Sequence, residues 1–448
     1  MSTFSVSIFE PVLPNLETLL NEDKELLVSA HGRNVKFAVR SNDAVESLNV
    51  TFKKGKAKVD IGKSSTAAFT LSAQPEDWKA FFAPVPNPIY QSYWGMLRVL
   101  GHRDGVSIAG DMVEFGRNAR IWRISLDRAR DALNGVKSED ALGQVYAQDT
   151  EDDCIVGRYI WIETPGWGRS KVFYESAGHG PQSILLLHTA GADSRQFHSL
   201  MNNKELQEQL MMYAFDLPGH GRSYPGSKQL PQGYINTEED YVESIGQVIK
   251  KLGLKQPIVS GASMAGHVCL AVAIRAKELG VSGVIPCEGC EHLPLTQPIY
   301  ELPGDLDEGI LNPERVCGMC SPTAPCIYKR LIWWIYSSQG IQTFHGDLKF
   351  YFRGWDGRGR IEKIDTQVCP VYMLTGEYDY SCTPQASKAA ADKIPGAKFE
   401  MMKGLGHFPM TEDPKAFIPY MKRALDFIEQ NHKAKATALN GSDSREPK

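Results

Sequence analysis

The sequence has no long hydrophobic run. Nowhere among its 448 residues do about 18 apolar residues follow one another, as a membrane-spanning helix requires. The first residues, MSTFSVSIFEPVLPN, also lack the basic stretch and the apolar core of about 7 to 15 residues that mark a secretory signal peptide. From these two absences we expect a cytoplasmic protein without a membrane span.

An excess of positive charge is also missing. The chain has 49 Lys and Arg residues against 53 Asp and Glu residues, so its formal net charge is -4 at pH 7. A nucleic-acid partner would require a basic surface, and the pI near 6.3 gives no sign of one. We therefore expect no nucleic-acid partner.

Cysteine is scarce and odd in number. Nine cysteines scattered through a chain of this length do not indicate a secreted disulfide framework, so reduced thiols are expected. Two pairs, Cys287 with Cys290 and Cys317 with Cys320, resemble a zinc ligand set. The pairs lie farther apart than in the usual zinc ribbon, and the first directly follows an apolar strand. Reduced cysteines in a packed cap are therefore predicted, with no metal or cofactor, and metal analysis is the test.

The length favours two domains, because 448 residues exceed one ordinary core. Residues 1–140 contain short apolar segments separated by polar or glycine-containing turns, a pattern that predicts an antiparallel sheet. Its strands are expected at ELLVSAHG, RNVKFAVRS, ESLNVTFKKG, KAKVDIGK and AAFTLSA, and its helices at PEDWKAFFAP, SYWGMLRVLG and the charged segment ending in RARDAL. An α+β domain is predicted here, followed by an acidic linker at 141–157.

The order of these elements, and above all WGMLRVLGHRDGVSIAGDMVEFGRN, resembles the sterol carrier protein type two domain. The resemblance implies a lipid-sized apolar tunnel between the sheet and the helices. The alternative is a packed accessory domain through which the protein forms a homo-oligomer.

From Arg158 onwards the apolar runs become continuous. A hairpin is expected at RYIWIET and SKVFYESAG, followed by strands at SILLLHT, MMYAFD, PIVSGAS, GVIPCE and VYMLTG. Such runs are typical of parallel strands covered on both faces, and helical segments such as EEDYVESIGQVIKKLG lie between them. The sequence predicts an α/β domain over 158–432 with a mainly parallel sheet, an inserted cap at about 292–362 and a disordered tail at 433–448.

The segment GASMAGH places Ser263 between a predicted strand and a predicted helix. Small residues at Gly261 and Ala265 would let the strand and the helix approach closely, while the serine is forced into a strained conformation with an exposed hydroxyl. The pattern alone leaves two interpretations open, because many strand-to-helix turns of small residues are purely structural.

A serine nucleophile needs a base and an acid placed after later strands. His407 stands in a glycine-bounded loop after AKFEMM, and Asp379 follows VYMLTG. Glu288, one strand earlier, is the alternative acid. The remaining histidines of apolar segments are expected to be structural: His188, His220 and His267.

Together with DLPGHGRS, these motifs resemble the α/β-hydrolase family over about residues 155–432, and the order Ser263, Asp379, His407 matches that family's chain order. The resemblance implies an oxyanion hole formed by the N–H groups of Met264 and Ala190. Thr189 departs from the family pattern, which has glycine at this position, so its side chain would narrow the hole or contact the substrate.

The implied activity is that of a serine hydrolase that cleaves an ester or lactone of a hydrophobic small molecule through an acyl-enzyme. Three aromatic residues of the cap are candidate pocket residues: Trp333, Trp334 and Tyr336. A carbon-carbon bond hydrolase acting on a diketone-like substrate is the alternative, and a non-catalytic ligand sensor or carrier is a third.

Overall fold

The chain divides into two compact units in a computed structural model that describes residues 4–101, 105–136, 153–230, 233–293 and 308–442. Unit one contains Met1–Val145 and Gln297–Trp333, and unit two contains Tyr146–Thr296 and Trp334–Lys448. The segment expected to form one cap, about 292–362, is thus divided between the two units. Most of the predicted linker, 141–157, lies outside the described residues.

Unit one contains a five-stranded sheet in the order β3-β2-β1-β4-β5. The strands are β1 (Asn34–Ser41), β2 (Ser47–Lys53), β3 (Lys56–Gly62), β4 (Phe69–Ala73) and β5 (Ser107–Gly110). All neighbours are antiparallel except β1 and β4, which run parallel. The expected purely antiparallel sheet is therefore wrong at one pairing. β2 and β3 occupy one side of β1, so the chain crosses to the other side before it forms β4.

The helices of the first 136 residues are α1 (Leu13–Glu22), α2 (Lys24–Ala30), α3 (Pro75–Phe81), α4 (Tyr93–Leu100), α5 (Met112–Arg117) and α6 (Ala119–Asn134). The strand expected at ELLVSAHG is wrong, because this segment forms α2. Asp23 caps the helix by accepting the Leu26 N–H at 2.9 Å, and Leu26 and Ala30 bury one helical face. A three-residue apolar run has no decisive period, so the N-cap is the stronger local signal.

Aromatic side chains pack between this sheet and its helices. The Trp78 ring stacks on Tyr93 with centroids 5.5 Å apart, and the Phe115 ring stacks on Trp122 at 5.1 Å. All four side chains are buried. The lipid-sized tunnel that the sterol carrier resemblance implies stays a prediction.

Unit two contains an eight-stranded sheet in the order β13-β12-β11-β10-β8-β9-β7-β6. The strands are β6 (Val156–Thr164), β7 (Gly168–Gly178), β8 (Gln182–Leu187), β9 (Leu210–Phe215), β10 (Ile258–Ala262), β11 (Gly283–Cys287), β12 (Tyr372–Gly376) and β13 (Lys398–Met402). The strands from β8 onwards are mutually parallel, whereas β6 and β7 form the predicted antiparallel hairpin at one edge. Consecutive residues of β8 and β10 are buried, so both faces of the sheet are covered. The predicted α/β fold is confirmed.

The remaining helices are α7 (His198–Met201), α8 (Lys204–Gln209), α9 (Glu238–Leu252), α10 (Met264–Ile274), α11 (Ala276–Leu279), α12 (Glu308–Cys317), α13 (Cys326–Ser337), α14 (Ile341–Lys349), α15 (Pro384–Lys393), α16 (Pro409–Glu412) and α17 (Pro414–Ser442). The last of them continues into the segment expected to be a disordered tail, where KATALN contains good helix formers. None of the helices in the described ranges is long and apolar enough to cross a membrane.

The α12 helix belongs to unit one through a buried ionic contact. Its Glu314 carboxylate lies 2.5 Å from Arg123 Nε and 3.5 Å from an Arg120 guanidinium nitrogen, both on α6. Arg330 of α13 and Arg120 also bind Glu25 of α2. These charges are mostly buried, so each depends on its partners for compensation. They explain why part of the expected cap packs with the first 136 residues instead of the sheet of unit two.

Candidate active site

Ser263 occupies a strained turn between β10 and α10. Its backbone has φ 61° and ψ -120°, and the residue is 3% exposed. A side chain at Gly261 would place a Cβ 2.5 Å from the Ala265 Cβ and 2.6 Å from the Leu187 carbonyl oxygen. Glycine is therefore required where the strand and the helix approach, and the strain falls on the serine, as in a nucleophile elbow.

Four predicted site residues follow neighbouring strands of the sheet. Ser263 follows β10, Glu288 follows β11, Asp379 follows β12, and His407 follows β13. These four strands are parallel and consecutive in the sheet. The carboxyl ends of parallel strands lie at one edge, so the sheet presents all four residues at that edge.

Asp379 and His407 form a direct hydrogen bond. His407 Nδ1 lies 2.7 Å from Asp379 Oδ2, while Asp379 Oδ1 accepts the N–H groups of Ser381 at 2.7 Å and Cys382 at 3.2 Å. A carboxylate only accepts hydrogen bonds, so the proton of the neutral imidazole is assigned to Nδ1 and Nε2 is left as the basic nitrogen.

The Ser263 hydroxyl is not hydrogen-bonded to His407 among the residues that the structure describes. Hydrogen bonds between a nucleophile and its base are often long without substrate and shorten when substrate binds. The arrangement therefore has a preformed acid–base pair and a separate serine hydroxyl at the same sheet edge.

Glu412 holds the loop that carries His407. Its carboxylate accepts the backbone N–H groups of Gly406 and Phe408, which are the residues on either side of the histidine. Glu412 is fully buried at the end of α16. We did not predict this contact from the sequence. Its only local sign is the segment TED, which begins four residues after the histidine.

Glu288 makes different contacts from those expected of an alternative acid. Its Oε1 accepts the Gly376 N–H at 3.0 Å, and no described partner binds Oε2. Burial, assisted by the nearby negative charge of Asp379, raises the pKa of Glu288 well above its ordinary value. Burial therefore favours the neutral form of this carboxyl group between two strand ends, while the histidine binds Asp379.

In the loop after β8, the backbone N–H groups of two residues, Thr189 and Gly191, donate hydrogen bonds to side chains. Thr189 N–H donates to Gln196 Oε1 at 2.9 Å, and Gly191 N–H donates to Asp347 Oδ2 at 2.8 Å. Within residues 153–230, 233–293 and 308–442, the N–H groups of Ala190 and Met264 donate to no acceptor. Two backbone donors are thus available, one in the loop after β8 and one at the N-terminus of the helix that Ser263 precedes.

The predicted pocket residues do not all belong to one unit. Thr189 Oγ1 and the Tyr336 hydroxyl share a hydrogen bond of 2.6 Å, so these two residues are together in unit two. Trp334 is 42% exposed beneath the Arg195 guanidinium. Trp333 lies in unit one under the Arg120 guanidinium, 3.9 Å from the ring centroid.

Asp347 of α14 is the centre of a buried polar network that sequence analysis did not predict. Its carboxylate accepts the Gly191 N–H at 2.8 Å, lies 2.7 Å from His220 Nε2, and binds the Tyr234 hydroxyl at 3.1 Å and Asn236 Nδ2 at 2.8 Å. Burial disfavours both charges, but their mutual attraction lowers the pKa of Asp347 and raises that of His220. Each charged form is thus favoured by the other, and the Asp347 carboxylate holds the loop after β8 through the Gly191 N–H.

His188 is the neutral neighbour of this Asp347–His220 pair. Burial, followed by the positive charge of His220, lowers the pKa of His188 to about 4. Its Nε2 accepts the Leu217 N–H at 3.1 Å, so the ring proton is assigned to Nδ1, which donates to the Thr189 carbonyl at 2.9 Å. The structural role expected of His188 and His220 therefore consists of buried hydrogen bonds to backbone groups and to Asp347.

We expect His188→Gln to flatten the dependence of stability on pH. The folded-state pKa is below the ordinary value of 6.5, so the associated stability is fully present above pH 6.5 and is lost as pH falls towards 4. At about 1.4 kcal/mol per pKa unit, the loss is on the order of 3 kcal/mol. Urea unfolding at several pH values measures it, with exposed His31→Gln as the control. Equal slopes for wild type and His188→Gln would contradict the assignment.

The four cysteines that resemble a zinc set do not form one cluster within a unit. Cys287 and Cys290 belong to unit two, whereas Cys317 and Cys320 belong to unit one. The Cys287 thiol contacts its own strand at the Ile285 carbonyl. None of the nine cysteines, which all lie in the described ranges, forms a disulfide.

Comparison with known proteins identifies the class to which this fold belongs. Residues 184–419 match the sequence profile of the Alpha/beta hydrolase family, and the chain belongs to that family. The carboxylesterase YbfK of Bacillus subtilis is 20% identical over 280 residues, which cover 61% of this chain and 89% of the relative.

Two solved structures have the same fold. A thermophilic esterase from Thermogutta terrifontis matches with a TM-score of 0.51 and 20% identity, over 60% of this chain and 99% of its own. The enol-lactonase from Burkholderia xenovorans LB400 matches with a TM-score of 0.50 and 18% identity, over 60% of this chain and 100% of its own.

Proposed function

We propose that the protein is a serine hydrolase that cleaves an ester or lactone of a hydrophobic small molecule, with Ser263, His407 and Asp379 as its catalytic triad. The observation that carries the proposal is the Asp379–His407 hydrogen bond at the sheet edge where Ser263 occupies its strained turn. Membership of the Alpha/beta hydrolase family supports it. The chain's resemblance to proteins named carboxylesterase, esterase and enol-lactonase agrees with ester chemistry.

In the first half of the reaction, His407 Nε2 removes the proton of Ser263 Oγ as the oxygen attacks the carbonyl carbon. The negative charge on the carbonyl oxygen is stabilised by the N–H groups of Met264 and Ala190. His407 then donates the proton to the leaving oxygen, and an acyl-enzyme on Ser263 remains. In the second half, His407 activates water, which releases the acid and regenerates the serine.

Asp379 is the acid of this triad because it binds His407 Nδ1 directly. It fixes the tautomer in which Nε2 is basic and stabilises the imidazolium that forms during the reaction. Glu288 accepts a backbone N–H from Gly376 instead, which gives it a positioning role at the end of β12.

Aromatic side chains beside the loop after β8 support a hydrophobic substrate. The Tyr336 ring packs against Phe344 at 5.8 Å and Phe408 at 5.7 Å between centroids, and its hydroxyl binds Thr189. An apolar group bound near Ala190 would thus meet aromatic surface, with the Thr189 and Tyr336 hydroxyls as polar contacts. We therefore expect a substrate with an apolar acyl or alkyl chain rather than a charged one.

A substrate panel tests the proposal. The purified full-length protein is assayed with p-nitrophenyl esters of increasing chain length, an aliphatic lactone and a β-diketone, and the products are identified. We expect ester or lactone turnover with a preference for apolar chains. Cleavage of the diketone without ester or lactone turnover would replace the proposal with carbon-carbon bond hydrolysis. Binding of these compounds without turnover would favour a ligand sensor or carrier.

A further inference from the structure

Three side chains that bind soft metals converge inside unit two, on elements next to the proposed triad. His267 lies on α10, Cys290 follows β11, and Cys382 is in the loop that also contains Asp379. One ligand atom from each of the three side chains lies within 4.8 Å of the others, and the three residues are almost completely buried. They come from three separate parts of the chain, so no local sequence pattern connects them.

The spacing suits a tetrahedral ion. The Cys290 sulfur lies 3.6 Å from His267 Nε2. Ligands at about 2.3 Å for Zn–S and about 2.0–2.1 Å for Zn–N place the two atoms about 3.5 Å apart in a tetrahedron. Only small side-chain rotations would be needed to bring both ligand atoms onto one ion.

The backbone brings the ligands together at a close contact. A Cβ on Gly266 would lie 2.1 Å from the Cys287 carbonyl oxygen, and one on Gly289 would lie 2.7 Å from the Gly266 carbonyl. Both positions require glycine because α10 touches the loop after β11 here. The neighbours His267 and Cys290 are therefore held face to face.

The position of His267 is unusual for a residue that only fills space. The rest of α10 consists of Met, Ala, Gly, Val, Cys, Leu and Ile, and the whole helix is buried apart from its last residue. The imidazole stacks on Tyr351 at 4.7 Å and Trp355 at 6.4 Å, and its Nδ1 has no hydrogen-bond partner in the described part of the chain. Thiols are weak partners for the other nitrogen, so a metal-free ring would leave buried polar atoms poorly satisfied.

We propose that His267, Cys290 and Cys382 bind a thiophilic metal ion, Zn²⁺, with water as the fourth ligand. Two thiolates and one neutral imidazole balance the charge of Zn²⁺, so the complex is neutral and suits a buried position. Binding displaces the thiol protons to solvent. The ion would tie α10, the loop after β11 and the loop of Asp379 together, which gives it a structural role with no step in hydrolysis.

Metal titration tests the site. The background is the full-length Cys154→Ser, Cys326→Ser protein, because those two thiols are exposed and would bind metal adventitiously. Under reducing, anaerobic conditions we expect one Co²⁺ per chain with thiolate-to-cobalt charge-transfer absorption, displaced by one Zn²⁺. Adding Cys290→Ala or Cys382→Ala should weaken zinc binding by more than about 100-fold. This loss is larger than that expected from removing a residue that only orients a metal ligand through a hydrogen bond. Cys269→Ala, a buried thiol of the same α10 helix, is the matched control and should bind normally.

A second measurement does not depend on whether the Cys290→Ala and Cys382→Ala variants fold. X-ray absorption of the zinc-loaded background protein should give two sulfur neighbours at about 2.3 Å and nitrogen or oxygen neighbours at about 2.0–2.1 Å. Absence of stoichiometric binding, or retention of binding in Cys290→Ala and Cys382→Ala, would overturn the proposal. A Cys290–Cys382 disulfide in protein that binds no metal would also overturn it and indicate a redox pair. None of these outcomes depends on ester turnover.

Discussion

Replacement of Ser263 by alanine is expected to lower kcat for ester hydrolysis by roughly 10⁴- to 10⁶-fold, because no other group can form the acyl-enzyme. The alanine removes one oxygen and makes no new contact, so the fold and the Asp379–His407 hydrogen bond should persist. Steady-state kinetics and thermal unfolding of the same sample measure both effects. Ser260→Ala is the matched control, because this buried serine lies on β10, the strand that precedes Ser263, and donates to the Ile285 carbonyl at 3.0 Å.

The same measurements on further variants distinguish the role of Asp379 from that of Glu288. His407→Ala should lose about as much activity as Ser263→Ala, and the double variant should be no worse, since the two residues act as one unit. Asp379→Asn should lose about 10⁴-fold because the wrong imidazole tautomer is favoured. Glu288→Gln retains the size and shape of the side chain and leaves it uncharged, so this variant should retain most activity. Retained activity in Asp379→Asn with loss in Glu288→Gln would move the acid to the end of β11.

Replacement of Asp347 by alanine is expected to produce the second large effect. Four donors lose their acceptor at once, and the buried His220 ring loses the carboxylate that favours its charged form. Breaking a buried charge pair in this way costs about 3–5 kcal/mol. Asp347→Asn should cost less, because its amide oxygen can still accept one of these hydrogen bonds.

The kinetic signature distinguishes a positioning role for Asp347 from simple loss of stability. Gly191 is next to Ala190, so loosening the loop should misplace an oxyanion donor and lower kcat more than it raises KM. Denaturant unfolding and kinetics of Asp347→Asn at a temperature where it remains folded measure the two effects. Asp356→Ala, which breaks an exposed pair with Arg358, is the control and should change stability little. Unchanged kcat in a folded Asp347→Asn protein would contradict the positioning role.

The candidate triad could be predicted from the sequence because each member is next to a strong local signal. A parallel strand ends directly before Ser263 and within a few residues of Asp379 and His407, and the carboxyl ends of parallel strands meet at one edge. The same reasoning placed Glu288 at that edge. Sequence position favoured Asp379 over Glu288, but it did not establish which carboxylate reaches the imidazole and which one is buried beside a backbone N–H.

The residues that hold the site in place had no such signal. Asp347 contacts Gly191 and His220 across more than 120 positions of sequence, and nothing around it distinguishes it from another helical carboxylate. The expected cap was divided for a related reason. The one buried carboxylate of Glu314 on α12 pairs with Arg120 and Arg123 of α6, a contact that local hydrophobic periodicity does not reveal.

Trapping of the covalent intermediate tests the central claim most directly. The full-length protein is treated with a fluorophosphonate that carries an apolar chain, and the modified peptide is identified by mass spectrometry. We expect one adduct per chain, on Ser263, and a loss of ester turnover in proportion to labelling. The Ser263→Ala variant should form no adduct. An adduct on another residue, or equal labelling of wild type and Ser263→Ala, would contradict it.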